Sequence, residues 1–102
     1  IAGTVASLGS GVTTWRAGDR VMLDPVVKIG DRHGMIGETF DGGRAELVKV
    51  PAANLVRVPD AVSLEDAAVL PIAYGTARRM LLRVAGLPIM RVEGRSESFE
   101  VR

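Results

Sequence analysis

The stretch Asp41–Asp60, DGGRAELVKVPAANLVRVPD, decides how the rest of this sequence is interpreted. Gly42-Gly43 is a pair suited to backbone with positive φ, and Ala45–Val50 follows as a run of β-forming residues with imperfect alternation. Pro51 ends this predicted strand because it has no N–H to donate to a ladder. A second short strand is predicted over Leu55–Val58. Two strands joined by a compact corner indicate a small barrel or sandwich.

Upstream of this stretch, short strands alternate with tight turns. Gly3–Leu8 and Arg20–Leu23 are predicted strands, and turns are predicted at Gly9–Gly11 and Ala17–Asp19. Gly9 and Gly11 do not indicate a phosphate loop, because no amphipathic helix follows them. The segment Val26–Thr39 has three glycines, four charged residues and no clear period. We therefore expect it to be an irregular loop that is functional or mobile.

The C-terminal third of the sequence has helical periodicity. Ser63 is the predicted N-cap of a first helix, with Glu65 and Asp66 in the first turn, where the helix dipole favours acidic residues. Pro71 is expected to break or restart that helix. A second helix is predicted from about Tyr74 to Val84, and it carries apolar residues at helical spacing: Ala77, Met80, Leu81 and Val84. Gly86 is the predicted residue after its C-terminus.

Composition excludes several functional classes. A length of 102 residues fits one domain, and a net charge of +1 with only four aromatic residues argues against nucleic acid as a partner. The absence of cysteine excludes disulfides and thiolate metal sites. No apolar run is long enough for a membrane span, and no signal peptide is apparent, so we expect a cytoplasmic protein without a membrane partner. Because Ile1 enters a predicted strand directly, the chain is expected to begin inside a domain.

Three segments in a fixed order carry a family resemblance: GDRV (Gly18–Val21), DGGRAELVKVPAANLVRVPD (Asp41–Asp60) and VSLEDAAVLPIAYGTA (Val62–Ala77). Together they resemble the medium-chain dehydrogenase/reductase family, which includes zinc-type alcohol dehydrogenases and zinc-independent quinone oxidoreductases. The resemblance runs from about Ile1 to Leu87. It implies that residues 1–87 are a fragment of the GroES-like catalytic domain. The expected fold class is therefore mainly β with C-terminal helices, a partial GroES-like β-barrel.

Residues 88–102 are expected to form a tail of unknown structure, because the resemblance stops after Leu87. The family continues there with a buried strand and a Gly-rich dinucleotide loop, whereas this chain reads PIMRVEGRSESFEVR. A loose hairpin pairing Ile89–Val92 with Phe99–Val101 is one interpretation.

The resemblance also implies a function. Family enzymes transfer hydride between NAD(P) and a carbonyl, an alcohol or an activated alkene, so the full-length parent is expected to bind NAD(P) and a small-molecule substrate. The isolated chain has no G-x-G-x-x-G loop, and we expect it to be inactive and to bind no cofactor. The alternative is a small non-catalytic β-barrel that serves as a binding or assembly module. Unpaired strand edges and an uncovered apolar helix face also predict self-association.

The resemblance points to three site residues. Ile72 stands where zinc-dependent members have a later metal ligand, and Ile cannot coordinate zinc. Thr76 matches a threonine that packs near the nicotinamide and is the expected cofactor-binding residue. Tyr74 and Ile72 are assigned to the substrate cleft. For Thr76 and Tyr74, packing at a helix start is the competing interpretation. No catalytic residue and no metal ligand is assigned.

Two further residues have alternative roles. His33 is the only histidine, and Asp31, Glu38 and Asp41 could in principle complete a metal site with it, but a solvated loop residue is the preferred interpretation. Trp15 could line a ligand pocket, although a structural plug is preferred.

Overall fold

A computed structural model describes residues 1–87 of the chain. The predicted tail and its hairpin lie outside the described residues. Five short strands precede a C-terminal helical segment: β1 (Ala2–Thr4), β2 (Arg20–Leu23), β3 (Val26–Ile29), β4 (Arg32–Met35) and β5 (Leu55–Arg57). A 3₁₀ turn at Ala52–Asn54 leads directly into β5.

The three-stranded sheet has the order β1-β2-β5, and both of its ladders are antiparallel. Gly3 lies opposite Val21 in the first ladder, and Met22 lies opposite Val56 in the second. Val21 and Leu23 of β2 are buried, because alternate side chains of a strand point to the same face of the sheet. The strand predicted at Arg20–Leu23 is confirmed, and that at Leu55–Val58 is confirmed to within one residue.

The predicted strand at Gly3–Leu8 is wrong in extent, because β1 ends at Thr4. Val5 still bonds to the turn that precedes β2. Its N–H donates to the Asp19 carbonyl, and its carbonyl accepts the Gly18 N–H. The predicted turns are confirmed: the Val12 N–H bonds to the Gly9 carbonyl, and Gly11 and Gly18 have φ values of 86° and 89°.

The predicted strand at Ala45–Val50 is wrong. The segment is irregular and exposed up to Lys49, and an open groove of about 1070 Å³ separates it from β1. A β-forming sequence makes a strand only where a neighbour pairs with it, and no such neighbour occurs among residues 1–87. The barrel is therefore not closed in the described part of the chain. Gly42 and Gly43 do not have positive φ, so the predicted reason for that pair is also wrong.

The segment Val26–Thr39 is not an irregular loop, because it contains the hairpin formed by β3 and β4. Lys28 pairs with His33 across it, and Gly30 has a φ of 61° in the two-residue turn between the strands. Val27 is 2% exposed and anchors the hairpin in the core. A glycine is required at position 34 because the Thr39 side chain lies against its backbone, and a Cβ there would overlap that side chain.

The helical segment runs without a break from Leu64 to Val84, as α1 (Leu64–Val69), a π-helical turn (Leu70–Tyr74), α2 (Gly75–Arg79) and a second π-helical turn (Met80–Val84). Ser63 caps it as predicted: its hydroxyl accepts the Asp66 N–H at 3.0 Å. Ala67 is 1% exposed and packs α1 against the sheet.

Pro71 changes the helix without breaking it, contrary to the prediction of a break. Pro71 cannot donate a helical hydrogen bond, and the Gly75 N–H reaches the Leu70 carbonyl five residues back. Gly86 follows the last turn with a φ of 65°, as predicted, and the Leu87 N–H bonds to the Leu81 carbonyl. Among the described residues, no helix combines the length and the apolar character that a membrane span needs.

Trp15, in the segment between β1 and β2, contacts residues in β5 and in the turn before it. Its indole N–H donates to the Ala52 carbonyl at 3.1 Å, and the Arg57 guanidinium lies 5.1 Å from the ring centroid. Arg57 also donates to both carboxylate oxygens of Asp19, at 3.0 and 3.1 Å. These contacts support a structural role for Trp15 over a ligand-pocket role.

The same ion pair predicts how stability depends on pH. The Arg57 hydrogen bond, followed by the Arg16 backbone N–H, lowers the pKa of Asp19 below its ordinary value. A carboxyl with a lowered folded-state pKa stabilises the fold above its unfolded pKa of about 3.9, and this contribution is lost as pH falls through the folded pKa. Asp19→Asn should therefore destabilise the chain at pH 6, and the difference from wild type should shrink below about pH 4.

Urea unfolding between pH 3 and pH 7 measures this difference. Asp31→Asn, in the exposed β3–β4 turn, is the control for the change in net charge. An Asp19→Asn difference that stays constant across the whole range would contradict the prediction.

Candidate functional site

A cavity of about 270 Å³ lies where the end of β2, the root of the β3–β4 hairpin and the start of the helical segment meet. Its size is near the lower end for pockets that hold small organic molecules. The cavity is lined by Ile1, Leu23, Pro25, Ile36, Ala68, Val69, Pro71, Ile72 and Ala73. Every one of these side chains is aliphatic, so the lining side chains supply apolar contact and no ionisable group.

Pro25 and Ile36 form one wall of the cavity. The Ile36 N–H donates to the Pro25 carbonyl at 3.0 Å, which closes the root of the hairpin. Leu23, the last residue of β2, is 3% exposed and joins this wall to the core. The cavity is therefore built on the most buried strand of the sheet.

The opposite wall comes from the helical segment. Ala68 and Val69 end α1, and the π-helical turn supplies Pro71, Ile72 and Ala73. Single π-helical turns within helices occur frequently at functional sites. Here Ile72, in the middle of the π-helical turn, is part of the cavity lining.

The structure brings one of the three predicted site residues into this cavity. Ile72 lines it, whereas Tyr74 and Thr76 do not, and both are exposed on the helix. Thr76 is four residues after Ile72, close to the same helix face, while Tyr74 is two residues after it and points elsewhere. Thr76 therefore lies one turn beyond the cavity.

Pro25 and Ile36 are lining residues that the sequence interpretation missed. The signal for Ile36 was the Gly30-Asp31 pair directly after the apolar run of β3, because such a pair is typical of a two-residue hairpin turn. Once that hairpin is recognised, Pro25 and Ile36 fall opposite one another at its root. The Gly34–Thr39 contact has no such signal, because it depends on the path of the chain after β4.

A zinc ion does not fit the donors present at this cavity. None of the lining side chains has a nitrogen, sulfur or carboxylate donor. His33 lies in β4 with its side chain exposed, and no three His, Asp or Glu side chains within residues 1–87 converge on one point.

Residues 1–60 match the family model of the alcohol dehydrogenase GroES-like domain, which is more than half of the chain. The chain belongs to this family. The resemblance to the medium-chain dehydrogenase/reductases seen in the sequence is thereby confirmed, as is the partial GroES-like fold.

Individual relatives of this GroES-like domain agree with the assignment. The chain is 39% identical over 75 residues to quinone oxidoreductase-like protein 2 of Rattus norvegicus, covering 74% of this chain and 17% of that protein. It is 29% identical over 96 residues to the uncharacterized zinc-type alcohol dehydrogenase-like protein YphC of Escherichia coli (strain K12), covering 79% of this chain and 27% of the relative.

The fold matches a crystal structure of an NAD-dependent alcohol dehydrogenase with a TM-score of 0.75 and 32% identity, over 83% of this chain and 29% of the other. The GroES-like chain thus spans less than a third of the length of these relatives.

Proposed function

We propose that this chain forms the substrate-binding part of an NAD(P)-dependent oxidoreductase, which transfers hydride between the cofactor and a carbonyl, an alcohol or an activated alkene. The observation that carries the proposal is the structural match to an NAD-dependent alcohol dehydrogenase over 83% of the chain. The relatives named as quinone oxidoreductase-like proteins support the same reaction class. A small neutral molecule is the proposed substrate, because every side chain that lines the cavity is aliphatic.

NAD(P) would supply the hydride, and the residues of this chain would bind and orient the substrate. Ile72 and Pro25 would hold its apolar portion and exclude water from the reacting carbon. Thr76, one helical turn further on, is proposed to lie beside the nicotinamide. Tyr74 is proposed to complete the substrate cleft at its outer side, where a second domain would close over the helix.

The proposal assigns no zinc to the reaction. Ile72 stands at the position of a family metal ligand, and the cavity lining offers no other donor. Polarisation of a carbonyl would then need hydrogen-bond donors or the cofactor itself in place of a metal. This feature favours the zinc-independent reductases over the zinc-type alcohol dehydrogenases.

We also propose that the 102-residue chain alone is inactive and binds neither NADH nor NADPH measurably. Its described residues contain no Gly-rich loop at the start of a helix that could cradle a pyrophosphate. Fluorescence titration with NADH tests this statement, and a saturable signal at micromolar cofactor would contradict it.

The activity is tested in the longer natural protein that contains these 102 residues. NADH and NADPH oxidation should be measured with a quinone, an enone and an aldehyde. Thr76→Val, which removes only the hydroxyl, should lower kcat/KM about five- to tenfold through the loss of one hydrogen bond. Thr14→Val, at an exposed loop position, is the matched control.

Two results would separate the parts of this proposal. No oxidation with any acceptor would contradict the oxidoreductase assignment. Full activity of Thr76→Val would leave that assignment intact and remove Thr76 from the cofactor site.

Self-association of the isolated chain is a second proposal. β1 is an edge strand in the described sheet, and Met80, Leu81 and Val84 are each more than half exposed on the helix. A net charge of +1 gives little repulsion between copies. We define Met80, Leu81 and Val84 as the exposed helix face.

Val84→Glu should shift the chain towards monomer, because it places a charge in the exposed helix face. Sedimentation velocity over a range of concentrations measures the change. Val26→Glu, at a similarly exposed valine of the hairpin, is the matched control. A wild-type chain that sediments as a compact monomer at every concentration, with strong amide protection over Thr4–Leu8, would contradict self-association.

A further inference from the structure

The root of the β3–β4 hairpin is held by one side chain from a distant part of the sequence. The Asn54 side-chain amide donates to the Val26 carbonyl at 2.7 Å and to the Asp24 carbonyl at 3.3 Å. The Asn54 backbone carbonyl accepts the Asp24 N–H at 2.8 Å. Asn54 thus makes three hydrogen bonds to the segment that surrounds Pro25.

Asn54 is itself held in place. It ends the 3₁₀ turn Ala52–Asn54, where its N–H bonds to the Pro51 carbonyl at 3.0 Å, and β5 begins at the next residue. Leu55 pairs with Leu23 at the end of β2. The amide therefore acts from a position fixed by the central strand, and it does not itself line the cavity.

We propose that Asn54 is a positioning residue for the substrate cavity, in which it fixes the wall of Pro25 and Ile36 against a neutral, apolar substituent of the substrate. The link between Asn54 and this wall is direct. Asn54 bonds to the carbonyls of the residues on either side of Pro25, and the Pro25 carbonyl accepts the Ile36 N–H. A charged substituent is disfavoured, because none of the lining side chains could pair with it. This inference rests on the proposed function, in which the cavity is the substrate cleft.

Asn54→Asp is the sharpest test. The side chain keeps its size, but a carboxylate replaces the amide donor and faces the carbonyl oxygens of Asp24 and Val26. Binding of 4-fluoroacetophenone, a neutral aryl ketone, is followed by ¹⁹F NMR in the 102-residue chain, together with hydrogen exchange at the Ile36 amide. The substitution should weaken ketone binding about five- to tenfold and accelerate exchange at Ile36, since it removes the bonds that order the wall.

Trp15→Phe is the matched control. It also removes one side-chain donor to a backbone carbonyl, and that carbonyl, on Ala52, is two residues from Asn54. Neither Trp15 nor Ala52 lines the cavity. This variant should lose stability while the ketone dissociation constant stays within about twofold of wild type. If the charge of Asn54→Asp prevents folding, Asn54→Ala is used in its place. Ile36→Ala, which leaves the Asn54 side chain unchanged, should also weaken ketone binding.

Each outcome decides the inference. Weaker binding and faster Ile36 exchange in the Asn54 variant, with neither change in Trp15→Phe, support it. Unchanged ketone binding overturns it even if Ile36 exchange accelerates, because Asn54 would then have only a structural role. A wild-type chain that does not bind the ketone overturns both the inference and the cleft assignment. If ketone binding depends on Asn54 but the longer natural protein oxidises no cofactor, the proposed reaction is contradicted. The inference about Asn54 and the cavity wall is then still supported.

Discussion

The central position of β2 is the constraint on which the rest of the structure depends. Its backbone is bonded on both sides, to β1 and to β5, and its Val21 and Leu23 side chains are buried. α1 packs against it through Ala67. Because β2 has no free edge, the elements around it are placed relative to one fixed strand. The hairpin leaves from its end, the helix crosses it, and the cavity forms where these three meet. The segment Ala45–Val50, in contrast, pairs with no strand of this sheet and is irregular.

The chemistry of the cavity follows from this placement. The site at the end of the buried strand β2, beside the start of the helical segment, is lined by aliphatic side chains, which can contact a ligand but have no group that exchanges protons with it. In the proposed function, the reacting groups would then come from outside the described residues. The chain spans under a third of the length of its relatives. In the proposed function, this part of the protein would shape the substrate site and NAD(P) would carry the hydride.

The predictable parts of the fold are those specified by local sequence. β2 is predictable because a short apolar run is bounded by the turn residues Gly18-Asp19 and Asp24-Pro25, and α1 because Ser63 precedes an acidic first turn. The wrong predictions concern segments whose structure depends on tertiary contacts. Ala45–Val50 has β-forming residues but no pairing neighbour in the described chain. The glycines and charged residues of Val26–Thr39 show no clear period and predict a loop, whereas Gly34 is in a strand, where the packing of Thr39 requires a glycine. Ile72 was found through a family position, whereas Ile36 enters the cavity only through the hairpin.

The most direct test of the account asks whether the apolar cavity is where a carbonyl substrate binds. Of the five isoleucines, Ile1, Ile36 and Ile72 line the cavity, and Ile29 lies outside it in β3. Selective ¹³C labelling of isoleucine methyl groups reports on these positions during titration with a neutral aryl ketone. The account predicts concentration-dependent shifts at Ile1, Ile36 and Ile72, with Ile29 unchanged. Shifts confined to Ile29, or no saturable shift at the three lining residues, would contradict it.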